Sequence, residues 1–156
     1  MLEWMIMPLQ RYADFRGRSR RREFWSFALL NLIVITLILI AMFAAGGGLL
    51  GRLAAAQGDL LATYGAMFSG VGLLLAVWTL ATLVPNAAVS VRRLHDRNLS
   101  GWWYLGLMVC NFIPYLRAVA SIGGIAFLAV MCLEGTRGPN RFGADPKGPT
   151  HVDVFS

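Results

Sequence analysis

Charged residues vanish from two long stretches of the chain and all but vanish from a third, and the lengths of those stretches predict its architecture. From Phe24 to Ala45, 22 consecutive residues carry no charge and are rich in Leu, Ile and Val. As a helix they reach about 33 Å, enough to cross the hydrocarbon core of a bilayer. The run stops at Gly46-Gly47-Gly48, where backbone entropy disfavours further helix. After an interval carrying Arg52 and Asp59, a second uncharged stretch covers the 32 residues from Leu60 to Val91. That exceeds one crossing, and the expected span is 64–84, with Pro85 as its inner end or a kink. Proline there frees the Ala81 carbonyl, for which the Thr82 hydroxyl or interfacial water is the expected substitute. The third stretch, Trp102 to Leu133, also has 32 residues but is broken by Pro114 and Arg117. A straight helix of that length, about 48 Å, overshoots the bilayer. Two solutions remain open: a hairpin of 102–113 and 118–133 turning at 114–117, or an interfacial segment followed by one span over 113–133.

These patterns predict an all-α, polytopic integral membrane bundle of three or four hydrophobic segments. A basic interfacial segment, 1–23, precedes it and a Gly- and Pro-rich tail, 134–156, follows. Composition agrees: 57% hydrophobic, 14% charged and a mean hydropathy of +0.60 leave too little polar surface for a soluble globule of 156 residues. The first run is too long for the core of a cleavable signal peptide and is expected to remain as an anchor. Charge then orients the chain, because loops beside spans keep Lys and Arg in the cytoplasm. The hairpin puts 12 of the 14 cations inside, and the three-span alternative puts 10 inside. Both predict a cytoplasmic N-terminus, and the hairpin is favoured. Cys110 and Cys132 lie in apolar runs with no metal-site spacing, so neither a disulfide nor a metal site is expected.

Three polar motifs mark the membrane boundaries. The first runs from Phe15 through Arg16, Arg18, Arg20, Arg21 and Arg22 to Glu23, Phe24 and Trp25. The second is Arg92-Arg93-Leu94-His95-Asp96 with Ser100-Gly101-Trp102-Trp103. The third is Gly135-x-x-Gly138-x-Asn140-Arg141-Phe142-Gly143-x-Asp145-Pro146. In this order, over residues 10 to 146, they resemble the family of small bacterial inner-membrane proteins known as domain of unknown function 805. The resemblance implies an integral inner-membrane protein without an assigned activity, and it supplies no catalytic or binding residues. Between Trp103 and Gly135 this chain is longer than the usual family pattern and contains Arg117.

Basic residues beside a span serve topology first, each contributing about 1 kcal/mol against an anionic leaflet. Trp4, Met5, Ile6, Leu9, Tyr12 and Phe15 supply apolar and aromatic groups that suit the headgroup boundary. Arg16, Arg18, Arg20, Arg21, Arg92, Arg93, His95, Asp96 and Arg141 are therefore the candidate contacts for anionic lipid headgroups or for an acidic protein partner. Nucleic acid is not an expected partner, since the bilayer already accounts for the charge. Glu23 is expected to tie down a neighbouring guanidinium. His95 and Asp96 form the most reactive-looking pair, but adjacent helical residues do not face each other, and no further ligand or base stands nearby. The expected arrangement is Asp96 paired with Arg92 or Arg93, Ser100 capping the helix from Gly101, and Phe142 docked on the loops.

No ionisable residue lies deep in the first two spans, which argues against proton-coupled transport. Asn31 and Asn111 are expected to bond across helices, and Gly65-x-x-x-Ser69 and Ala120-x-x-x-Gly124 offer faces for close packing. Gly70-Val71-Gly72 lacks the rest of a nucleotide loop. The sequence thus favours a non-enzymatic membrane component without cofactor, binding anionic lipid or a protein partner and able to self-associate. A small oligomeric transporter or channel comes next. Last is a membrane enzyme acting on phosphorylated lipid, with Arg92, Arg93, His95 and Asp96 as its polar centre.

Overall fold

The computed structural model describes residues 2–44, 51, 54, 57–67 and 70–147. The expected stop at 46–48, Arg52, Ser69 and His151 lie outside them. The helices are α1 (Leu2–Gln10), α2 (Arg21–Ala44), α3 (Leu60–Met67), α4 (Val71–Asp96), α5 (Trp102–Phe112) and α6 (Arg117–Cys132), with a 3-10 turn, Pro114–Leu116, before α6. Among the described residues, three stretches are long and apolar enough to cross a membrane: Arg21–Ala41, Gly72–Asp96 and Pro114–Cys132. The chain divides into two units, one built from residues up to Phe27 with those from Pro85 onward, the other from Ala28–Val84.

In the Ala28–Val84 unit the helices expose apolar side chains all round. Leu32, Leu37 and Ile40 of α2, and Leu74, Leu80 and Leu83 of α4, are each more than half exposed. In water such surfaces would aggregate; in a bilayer they meet lipid. Asp59 Oδ1 accepts the amide of Leu61 at 2.9 Å and opens α3. Gly70, at φ +57°, separates α3 from α4, so the second long helix begins there rather than near Tyr64. It continues through Pro85 to Asp96. Proline is tolerated because this part of the helix is packed, with Pro85 itself, Thr82 before it and Ala88 and Val89 beyond it all buried. Thr82 does not serve the Ala81 carbonyl: its hydroxyl donates to Trp78 O at 2.8 Å, the ordinary bond to the preceding turn.

In the other unit, α4 ends with Asn98 in the left-handed region at φ +59°. There the amides of Asn98 and Leu99 donate back to the His95 and Leu94 carbonyls. Gly101 follows so closely that a Cβ would lie 2.6 Å from Val91 Cγ1. Trp102 N donates to Ser100 Oγ at 3.4 Å, and α5 departs. Ile113 is extended and Pro114 starts the 3-10 turn, which reverses the chain into α6. Helices α5 and α6 pack as a hairpin, with Tyr104 and Phe127 ring centres 5.7 Å apart and Gly123 against Leu107. Asn111 lies exposed and donates to Leu107 O at 2.9 Å. It therefore satisfies its own helix, and the expected cross-helix bond is absent from its described contacts.

The hairpin returns the chain to the face it left. Arg21 Nη1 donates to Cys132 O at 3.1 Å, Arg93 donates to Met131 O and Leu133 O, and Ser19 N donates to Arg92 O at 3.2 Å. The start of α2, the end of α4 and the end of α6 thus share one polar face.

Candidate functional site

Residues 134–147 close this polar face, and apart from one bridge between Asn140 and Gly143 they form no regular structure. Their backbone carbonyls therefore need partners from elsewhere. Arginines of the first two motifs supply them in order along the tail. Arg93 and Arg21 meet the last carbonyls of α6, Arg97 donates to Glu134 O, Arg18 to Thr136 O and Gly138 O, and Arg20 to Pro146 O. A guanidinium has five donors in a fixed plane, so it can bridge neighbouring carbonyls where a lysine amine would reach as a single point charge. That gives a physical reason why 13 of the 14 cations are arginine.

Asp96 is the centre of this comb. Its Oδ1 accepts Arg18 Nε at 2.9 Å and its Oδ2 accepts Arg93 Nη1. Arg92 and Arg93 are 0% exposed, Asp96 4% and Arg18 7%. The Asp96 carbonyl in turn takes Thr136 N at 2.9 Å and the Thr136 hydroxyl at 3.1 Å. Gly135 permits this approach, because a Cβ there would lie well under 3.0 Å from the Asp96 carboxylate.

Arg92 points elsewhere. Its Nη2 lies 2.9 Å from Glu23 Oε1, but the atoms are not aligned as a hydrogen bond, and Nε and Nη1 have no partner among the described residues. The contact is a buried ion pair. Glu23 also accepts the Ser19 hydroxyl at 2.7 Å. The expected partner of Glu23 was a sequence neighbour; the structure supplies one from the far end of α4, because the two helix ends meet.

His95 and Asp96 diverge, as adjacent helical residues must. His95 Nδ1 donates to Gly17 O at 3.3 Å, and its ring stacks on Phe142 with centres 3.9 Å apart and planes 5° apart. Arg141 also lies over the Phe142 ring, its Cζ 4.7 Å from the ring centre, and donates to Asn98 O at 2.9 Å. Asn140 completes the dock by donating to His95 O at 2.9 Å and Thr136 Oγ1 at 3.1 Å. Asp145 holds the last turn, accepting the amides of Lys147 and Gly138, each at 2.9 Å. Those bonds keep its carboxyl below the usual range.

Of the nine candidate contacts, then, Arg18, Arg92, Arg93 and Asp96 lie inside. Arg20 and Arg21 are half-buried against the tail, with Trp4 under the Arg20 guanidinium at 5.9 Å. His95 and Arg141 both contact the Phe142 ring, and among these nine Arg16 is the one exposed with its side chain unpartnered among the described residues. Sequence reasoning missed Arg22 and Arg137, which share that state, the acceptors Glu134 and Thr136, and Asn140 as a donor to the end of α4. One signal was available: the motif segments carry far more arginines than acids, so most arginines must find another acceptor. Among the described residues no three His, Cys, Asp or Glu side chains converge as metal ligands, and both cysteines are free.

Residues 12–144 match the family described as "Protein of unknown function (DUF805)". The chain is 35% identical to inner membrane protein YhaH of Escherichia coli K12, over 94% of this chain and 98% of that protein. It is 34% identical to inner membrane protein YhaI of the same organism, over 94% and 97%. The uncharacterized protein YiiR of that organism is 31% identical over 89% and 90%. No solved structure matches. With three membrane-capable helices and the three boundary motifs knitted into one polar face, the chain is a multi-pass inner-membrane protein and belongs to the domain of unknown function 805 family.

Proposed function

We propose that the protein is a non-enzymatic membrane component whose polar face lies in the cytoplasm and binds the anionic headgroups of the inner leaflet. The observation that carries this reading is the division of labour among the arginines. Those named above hold the face together, while Arg16 and Arg22, on either side of the entry to α2, are exposed with side chains unpartnered among the described residues. The apolar side chains of Tyr12 and Phe15 stand exposed beside them, as suits a headgroup boundary. His95 and Asp96, the groups an enzyme would use, are both engaged by other residues.

The test is lipid enrichment around the purified protein in nanodiscs of mixed phosphatidylglycerol and phosphatidylcholine. Arg16→Gln with Arg22→Gln is expected to lower phosphatidylglycerol enrichment on the order of tenfold. Lysine at both positions should retain it, because a leaflet offers a field of charge. Loss with lysine would instead indicate forked recognition of a carboxylate on a protein partner, and unchanged enrichment in the glutamine variant would refute the reading.

The same face sets the topology we infer. It holds 12 of the 14 cations, so it is the cytoplasmic side, and the α5–α6 hairpin enters and leaves the membrane there. Helix α5, with 11 residues, reaches only about 16 Å, and α6 about 24 Å. The hairpin can reach the outer boundary only through its tip, where Tyr115 is 94% exposed and Arg117 follows, able to extend toward water. In a chain with Cys110→Ser and Cys132→Ser, Tyr115→Cys should react with an impermeant maleimide from the periplasm, and Arg137→Cys only after permeabilisation. A Tyr115→Cys chain that reacts from neither side would leave the tip in the bilayer core and sink the fourth crossing.

A further inference from the structure

Beneath the docked tail lies a cavity of about 360 Å³, bordered by Arg20, Glu134, Thr136, Arg137, Asp145 and Lys147, with Asp96 at its floor. This is within the usual size of small-molecule pockets, about 300–1,000 Å³. Counted by type, its charges balance, three cations against three acids. Counted by what each group already holds, they do not.

The acids are engaged. Asp96 is gripped by Arg18 and Arg93, Glu134 accepts Arg21 at 2.8 Å, and Asp145 accepts two backbone amides. The cations retain donors. Arg137 has no side-chain partner among the described residues. Lys147 Nζ comes no nearer than 3.9 Å to Glu134, beyond a hydrogen bond. Arg20 gives Nε and Nη2 to the Pro146 carbonyl, which leaves Nη1.

We infer that this cavity is a binding site for a phosphate ester. Three cations border it, Arg20 from just before α2 and Arg137 and Lys147 from opposite ends of the tail, an arrangement that fits the several oxygens of a phosphate better than a flat carboxylate. A metal cation would find Asp96 and Glu134 already paired with arginines. The inference extends the proposed anionic-headgroup reading to one defined pocket, distinct from the exposed Arg16 and Arg22. Because Arg20 immediately precedes α2, the pocket sits at headgroup level and is open to two sources of the same chemistry, a lipid headgroup or a soluble phosphate.

The experiment is calorimetric titration of inorganic phosphate into the protein in nanodiscs of phosphatidylcholine alone. Saturable binding is expected, and Arg137→Gln with Lys147→Gln should weaken it at least tenfold. Neither side chain holds the tail, so tail protection from protease should be unchanged in that variant. Arg16→Gln with Arg22→Gln should leave phosphate binding intact. Repeating the titration with phosphatidylglycerol in the disc assigns the source: competition identifies the lipid headgroup, and undiminished binding identifies a soluble phosphate. If the protein shows no saturable phosphate binding, or if Arg137→Gln with Lys147→Gln leaves it unchanged, the pocket assignment is overturned. The outcome at Arg16 and Arg22 then stands or falls separately.

Discussion

Replacing Arg92 with methionine is expected to destabilise the fold by about 3–5 kcal/mol, the usual cost of removing one member of a buried ion pair. The side chain is completely buried and Glu23 is 3% exposed, so the carboxylate left behind would keep only the Ser19 hydroxyl. Marginal total stabilities of about 5–15 kcal/mol make this a large fraction of the whole. Removing both charges should behave differently. With Arg92→Met and Glu23→Gln together, the methionine fills much of the guanidinium stem's volume and the glutamine oxygen still accepts Ser19, so most of the stability should return. The case is sharpened by the geometry, since Arg92 already leaves Nε and Nη1 without a partner among the described residues, and unsatisfied donors favour replacement. Denaturant unfolding in mild detergent, followed by tryptophan fluorescence, measures both variants. A single variant close to wild type, or a double variant worse than the single, would contradict a pair held by mutual compensation.

The second large effect concerns a residue with no functional group. Gly135→Ala places a methyl against the Asp96 carboxylate at a separation no real side chain tolerates. Asp96 cannot give way, because Arg18 and Arg93 hold its two oxygens from different elements. The tail must move instead, and with it go the Thr136 bonds to Asp96 O, the Arg18 bonds to Thr136 O and Gly138 O, and the Phe142 stack on His95. Hydrogen bonds to charged groups are worth about 1.5–3 kcal/mol each, so the loss should free the tail without unfolding the helices. Limited proteolysis within residues 134–147 should accelerate strongly while helical circular dichroism is retained. Gly138→Ala is the contrast. It strains a left-handed backbone at φ +75° but meets nothing within 4 Å, and should cost only about 1–2 kcal/mol. Equal tail protection in Gly135→Ala and the parent chain would show that Asp96 is not locked.

Some of this was legible in the residues. The break at Pro114 follows from a ring that cannot continue a helix, and the pairing of Asp96 with Arg92 or Arg93 follows from helical spacing, with the structure choosing Arg93. Phe142 docking was foreseeable because the one large apolar residue between Gly135 and Pro149 needs a surface. The extent of α4 was not, since Pro85 reads as a boundary until packing on both sides of it is known. The targets of the arginines were hidden for another reason: their acceptors are backbone carbonyls, which every residue carries and no side-chain pattern advertises.

What the sequence by itself determined is the solvent and the punctuation. Uncharged runs of membrane length have no low-energy alternative to helix in lipid, and arginine clusters bias their side of the bilayer. Only the tertiary structure decided that the third hydrophobic region folds back on itself, that Glu23 meets Arg92, and that the three motifs form one interlocked face. Those outcomes depend on which helix ends meet. That depends on packing between segments far apart in the chain, and on the need of an irregular tail to satisfy its buried backbone with the donors nearest in space.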